Sequence, residues 1–292
     1  MTETVPGVLS VSGESQQRLP LIFDSPHSGT QYPPEFNHAA DPALLRQAED
    51  THVADLWAGA MAHGAVLLEA HFPRSFVDAN RAPDDIDPDA ITGSYPAPLN
   101  PSVKSRLGIG LCWTRVPPAG GAMYDRPLTA EEVADRVTRY HRPYQARLRG
   151  LLDDAHARWG AVWHINCHSM QQFASAMSTQ DRGTERPDFV LGDRDGTACE
   201  TGLTEAVRLF LVARGYTVAV NDPYKGMELI RANGAPAQGR HSMQIEVNRK
   251  LYMNEITREP NAGYPTLKAC FTALAAHLAD HVETRLKRTA AE

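Results

Sequence analysis

Six short stretches of the chain are apolar almost without a break: "LPLIFD" (19–24), "AVLLEA" (65–70), "AVWHINC" (161–167), "DFVLG" (188–192), "YTVAV" (216–220) and "SMQIEV" (242–247). Runs of this length that are continuous rather than alternating predict strands covered on both faces. Between them the spacing changes. In residues 129–157, Val133, Val137, Tyr140, Tyr144, Leu148 and Leu151 recur at steps of three and four, which is one face of a helix. Residues 42–63, 200–214 and 264–286 read as further helices. Strands and helices alternating in this way predict an α/β fold, one domain over residues 1–292 with a mixed, twisted β-sheet flanked by helices.

Two segments stand outside this pattern. Residues 1–17 read as a flexible N-terminus, and residues 82–127, dense in Pro, Gly and Asp, read as a long loop excursion. Loops of that length inside a compact domain tend to be functional, so the excursion is expected to border an active site.

Composition removes several classes of function. The net charge is −6 and Lys and Arg are scattered, which argues against a nucleic-acid partner. Cys112, Cys167, Cys199 and Cys270 lie far apart with no CxxC spacing, so neither a disulfide framework nor a cysteine zinc site is expected and a reducing cytoplasm fits. No basic stretch leads into an apolar core at the start, and no apolar run approaches the roughly 18 residues of a membrane span. Neither export nor a membrane is expected; the oligomeric state is not legible.

Reactive groups collect at strand ends in open α/β sheets, and three strand ends here carry suitable side chains. "LIFDSPHSG" runs a buried strand into a turn that mounts His27 between Pro26 and Gly29. In "HINCHSM", alternation places His164, Asn166 and His168 on one side of the strand, with His168 at its end and His164 deeper, read as a core histidine. In "SMQIEV", Glu246 interrupts an apolar strand; a carboxylate buried there needs a partner, which is either a catalytic setting or an ion pair with Arg249 or Arg240. Two histidines and a carboxylate form a common ligand set for a catalytic zinc with an open position. Glu49, Asp50 and Asp55 in "QAEDTHVADLW" offer the carboxylate, although the spacing is not that of HExxH.

Other nucleophiles fit less well. Cys167 and His168 are adjacent on a strand and face opposite ways, and no GxSxG elbow is present. "LGDRDGTACE" (191–200) reads as a turn before a helix and not as a phosphate loop.

The ordered set "SPHSG", "EDT", "VDANR", "GLCWTR", "HINCHSM", "PYKGMELIR" and "QGRHSMQIEVNRKLYMNE", spread over residues 19–255, resembles the N-formylglutamate amidohydrolase family. That family is similar in architecture and mechanism to the zinc carboxypeptidases and aspartoacylase-like hydrolases. The resemblance therefore implies a hydrolase-like α/β fold with one divalent metal at the strand ends, zinc in the first instance, with manganese or iron as substitutes. It implies His27, Asp50 and His168 as metal ligands, with Glu49 the rival to Asp50, and Glu246 as general base. It implies Asn80 and Arg81 as substrate-binding residues, and points to Arg115 and Arg231 as further contacts, because arginine forks suit carboxylates.

The activity implied is hydrolysis of N-formyl-L-glutamate to formate and L-glutamate, the last step of one route of histidine breakdown. The alternatives are a hydrolase of another N-acyl amino acid or small peptide with the same metal site, and a metal- or amino-acid-binding protein without turnover.

Overall fold

The computed structural model describes residues 2–175, 177–178 and 182–289. The first seventeen residues, expected to be flexible, instead begin the sheet. Strands β1 (Glu3–Val5) and β2 (Leu9–Ser12) form an antiparallel pair, and β2 continues onto β4 (Val66–Ala70). Val8, Leu9 and Val11 are buried, and Arg147 bonds both Glu3 and Glu14. A few apolar residues in a polar stretch were enough, because a sheet edge was waiting for them.

After β3 (Leu21–Ser25) the helix expected over 42–63 is broken into α1 (Pro42–Leu45) and α2 (Val53–Trp57), each followed by a 3₁₀ turn. The break falls at residues 49–52, where His52 takes a left-handed conformation (φ 71°) that a helix interior does not accept. Glu49, Asp50 and Thr51 turn inward and are buried. Arg258 holds this break by bonding the Glu49 carbonyl and the Thr51 hydroxyl.

The excursion contains only short elements: β5 (Ile91–Thr92), α3 (Val103–Arg106), β6 (Arg115–Val116) and β7 (Gly121–Ala122), ahead of β8 (Leu128–Thr129). It is nonetheless anchored, since Ile109, Leu111, Trp113 and Met123 are buried and Asp85 accepts from both the backbone and hydroxyl of Ser102. Helix α4 (Ala130–Arg136) starts on a reciprocal cap between Thr129 and Glu132 and passes through one wide π turn into α5 (Arg142–Trp159). The remaining elements are β9 (Val162–Met170), β10 (Phe189–Gly192), α6 (Thr201–Val212), β11 (Val218–Val220), α7 (Glu228–Asn233), β12 (Arg240–Asn248) and α8 (Tyr264–Thr289). Among the described residues no helix is long and apolar enough to cross a membrane.

The main sheet has the order β1-β2-β4-β3-β9-β12-β10-β11. Its centre, β4-β3-β9-β12, is parallel, while β1, β2 and the β10/β12 pair introduce antiparallel neighbours, so the sheet is mixed. Each face carries its own apolar cluster. One packs Ile22, Val66, Leu68 and Val162 against Tyr144, Leu148 and Leu151 of α5. The other packs Phe23, Leu67, Ile165, Met243 and Ile245 against Trp57 of α2 and Phe271 and Leu274 of α8.

The α5 face is not apolar throughout. Asp24 of β3, then His164, Asn166 and His168 of β9, then Ser242, Gln244 and Glu246 of β12 fall on the alternate positions of these strands, opposite the residues of the second cluster. The parallel register sets Asp24 beside Asn166, Asn166 beside Gln244, and His168 beside Glu246. A stripe of polar side chains thus runs up the middle of one face and ends at the carboxyl edge of the strands.

Candidate metal centre and active site

His27 lies two residues beyond the end of β3, on a turn pressed against the end of β4. A Cβ on Gly29 would meet the Phe72 carbonyl oxygen at 2.3 Å, so only glycine lets this turn lie so close. The His27 carbonyl accepts from the Asp50 N–H (2.9 Å), which ties the helix break to the turn. Two segments that pattern alone left unconnected are thereby placed side by side.

His27, Asp50 and His168 converge, each bringing a ligand atom to within 4.8 Å of the others, the group among the described residues whose geometry suits a metal ion. All three are buried. His27 Nε2 bonds Asp78 Oδ1 (2.7 Å), and His27 Nδ1 stands 3.5 Å from Asp50 Oδ2. The other Asp50 oxygen accepts from Arg249 Nη2 (2.8 Å). Asn80 turns its Nδ2 to His168 Nε2 (3.1 Å), because its own Oδ1 accepts from the Leu229 N–H (2.9 Å). His27 Nδ1, Asp50 Oδ2 and His168 Nδ1 are left buried with no hydrogen-bond partner among the described residues. Orphaned polar atoms are costly, and a cation satisfies all three at once. The donor set therefore fits a divalent metal.

Electrostatics keep Asp50 ionised and His168 neutral. Burial alone would raise the Asp50 carboxyl, but the adjacent His27 ring and the Arg249 guanidinium hold it well below the ordinary range. Burial, then the neighbouring His27 and Arg74, pushes His168 down to about 3, so its ring is neutral. Glu49, the rival carboxylate, faces away and accepts from Tyr32 (2.6 Å) and Thr51 (3.2 Å).

Glu246 sits beside His168 across the strand pair and lines a cavity of about 500 Å³ that His168 also lines. Its partner is neither Arg249 nor Arg240, which pair with Asp50 and Asp153 respectively; it accepts instead from Gln244 Nε2 (2.8 Å). Burial, followed by the Asp50 charge, pushes its carboxyl up to about 8 against the opposing pull of Arg74, Arg186 and Arg249. Lys104, Ile109, Trp113 and Pro117 of the 82–127 excursion line the same cavity.

The four expected substrate residues separate into two groups. Asn80 and Arg81 are buried and line the cavity, Asn80 also orienting His168. The Arg81 guanidinium bonds the Ile109 and Asn80 carbonyls at 3.4 Å and lies 3.9 Å from Asp85. Arg115 and Arg231 lie outside the lining of this cavity. Arg115 is exposed and bonds the Gly120 carbonyl (3.2 Å). Arg231 is exposed and forked onto Glu228, three residues before it, at the rim of a neighbouring cavity of about 440 Å³.

Asp78 was not singled out from the sequence, yet it joins the whole arrangement. Its Oδ1 meets His27 Nε2 and the Asn80 N–H (2.9 Å), and its Oδ2 accepts two bonds from Arg74 (3.2 and 2.9 Å). A carboxylate that orients a ligating imidazole fixes which nitrogen is free. The signal was an acid among the buried Phe76, Val77 and Ala79, the same signal that marked Glu246.

Comparison with known proteins places the chain among its relatives. Residues 19–253 match the family profile described as N-formylglutamate amidohydrolase. An N-formylglutamate deformylase of Pseudomonas putida is 30% identical over 252 residues, 82% of this chain and 84% of the relative. One from Pseudomonas aeruginosa is 31% identical over 250 residues, with the same coverage. The crystal structure of an N-formylglutamate amidohydrolase from Ralstonia eutropha JMP134 superposes with a TM-score of 0.91 at 47% identity, covering 95% of this chain and 99% of that one. A chain from Agrobacterium tumefaciens, at 17% identity and a TM-score of 0.66, shares the fold. The chain belongs to the N-formylglutamate amidohydrolase family.

Proposed function

We propose that the protein hydrolyses N-formyl-L-glutamate to formate and L-glutamate, with His27, Asp50 and His168 holding one divalent ion, zinc in the first instance, and Glu246 as general base. The observation that carries this reading is the convergence of three buried ligand atoms, partnerless among the described residues, beside a carboxylate that has no cationic hydrogen-bond partner among them. The names of the related proteins supply the substrate.

A divalent ion bound there supplies Lewis-acid activation of water and of the amide carbonyl. The chain does the rest. Glu246 takes the proton from the attacking water and hands it to the leaving amine, a role suited to an acid whose affinity for protons is raised by burial. Asp78 holds the His27 imidazole so that Nδ1 is the free nitrogen, and Asn80 packs against the far edge of His168. Arg81, with donors at the cavity wall, grips a substrate carboxylate. Four unpaired cysteines are consistent with work in a reducing cytoplasm.

The test is formate release from N-formyl-L-glutamate by purified protein, with elemental analysis of the same preparation. Turnover with about one equivalent of metal, lost on chelation and regained on adding the ion back, is the expected result. Full activity in protein stripped of metal would overturn the metal assignment, and no formate at all would overturn the substrate.

A further inference from the structure

The chain carries a net charge of −6, yet among the described residues its main cavity is lined by seven Lys or Arg side chains and a single carboxylate, Glu246. Most of those cations are already engaged with acids. Arg74 pairs with Asp78, Arg249 with Asp50, Lys225 with Asp195, and Arg81 lies 3.9 Å from Asp85. Lys104 differs: the residue is half-buried, and its ammonium has no hydrogen-bond or ion-pair partner among the described residues.

Its backbone is well held. Ser102 caps α3 through the Ser105 N–H (3.2 Å) and is itself fixed by Asp85, and the Lys104 carbonyl accepts from the Ile109 N–H (3.0 Å). The lysine is therefore mounted on a fixed turn at the cavity wall. Burial, then the charges of Arg81, Arg74 and Arg186, lowers its affinity for a proton, to a pKa of about 8. A cation kept among cations gains from any anion that enters.

An N-acylated acidic amino acid has two carboxylates at different distances from the amide being cut. The α-carboxylate is two bonds from the amide nitrogen and must stay near the reacting centre, where Arg81 follows directly on the Asn80 that touches His168. The side-chain carboxylate reaches further, to a wall of the cavity contributed by the excursion.

We propose that Lys104 selects the acidic side chain of the substrate, its ammonium pairing with the distal carboxylate while Arg81 takes the α-carboxylate. This inference rests on the hydrolase reading above and adds to it the residue that makes the pocket specific for a dianion. The excursion then serves as the specificity element of the fold, reading the part of the substrate that the metal ligands never touch.

The test compares kcat/KM for N-formyl-L-glutamate and N-formyl-L-glutamine, which differ in charge and scarcely in shape, for the wild type, Lys104→Met and Lys104→Arg. The wild type is expected to favour the glutamate substrate. Lys104→Met should lower the ratio of the two values at least tenfold, chiefly through KM, and Lys104→Arg should restore most of it. An unchanged ratio in Lys104→Met overturns the inference, as does an equal loss on both substrates, which would place the lysine at the α-carboxylate or in a structural role. A wild type that cuts both substrates equally overturns it as well. A wild type that cuts neither overturns the hydrolase reading and this inference together.

Discussion

His164 and His168 stand four residues apart on one face of β9, both buried, and differ only in what surrounds their nitrogens. His164 has both nitrogens engaged, Nδ1 with the Ser242 hydroxyl and Nε2 with Asp24, each at 2.8 Å. Asp24 in turn accepts from Tyr144 (2.9 Å) and Asn166 (2.7 Å), so that both of its oxygens are engaged, while Asn166 Oδ1 is left without a partner among the described residues. His168, at the strand end, has Nε2 against Asn80 and Nδ1 without a hydrogen-bond partner among the described residues. The same contrast separates Asp24 from Asp50. Residue type and burial are shared by the two layers; what distinguishes the outer one is incomplete coordination, with open atoms from three segments aimed at one point. The lower layer ties neighbouring strands of the sheet to one another, and the upper one leaves its ligand atoms open.

Variants can break that contrast in order of their expected effect on turnover. Replacing His27 or His168 by alanine should bring formate release to background and remove the bound metal, since two remaining ligands hold a divalent ion poorly. Elemental analysis of the variant checks this, and an unchanged metal content in His168→Ala would remove it from the ligand set. Next, Glu246→Gln should keep the metal while kcat falls by about 10²–10⁴-fold, the usual worth of a positioned proton acceptor. A nearly wild-type rate would deny Glu246 the role of base.

Asp78→Asn comes third. It keeps the shape but weakens the group that orients His27, and outer partners of this kind typically cost about 10–100-fold in metal affinity or activity. Competition against a chelator of known affinity measures it directly. Loss of the metal at a constant fold, seen as an unchanged far-ultraviolet spectrum, would set Asp78 apart from a purely structural residue.

These expectations also show how far the residues alone can be read. Strand positions were legible because continuous apolar runs are seldom anything else, and His168 and Glu246 were legible because a polar group in such a run needs a reason. The helix break at 49–52 was not, since Arg249 and Arg258, which hold it, lie some two hundred residues further along the chain. Asp78 sits in an irregular segment and Lys104 in a single helical turn, neither long enough for a periodicity against which to stand out. Arg115 and Arg231 looked like the arginines of a binding site, but an arginine's role depends on what acids reach it first, and Glu228 was three residues away from Arg231 throughout.

The smallest effect on turnover belongs to the lower layer. His164→Leu should leave metal content at its wild-type level and kcat/KM within a few-fold, because no atom of His164 faces the ligand cluster. The consequence appears in stability instead. The change strips a partner from Asp24 and from Ser242, and leaving a buried charged group under-satisfied costs about 3 kcal/mol, or roughly 6–12 °C in Tm for a chain of this size. The pH dependence gives an independent check. Burial would raise the Asp24 carboxyl, but His164 and Asn166 hold it below its ordinary value near 3.8. Its contribution is therefore present above that pH and is lost as the pH falls through the lower folded value. With His164 gone the carboxyl rises, so melting temperatures of variant and wild type should draw together as the solution is acidified below about pH 4. If His164→Leu instead lost its metal at neutral pH, the division between a closed layer and an open one would fail.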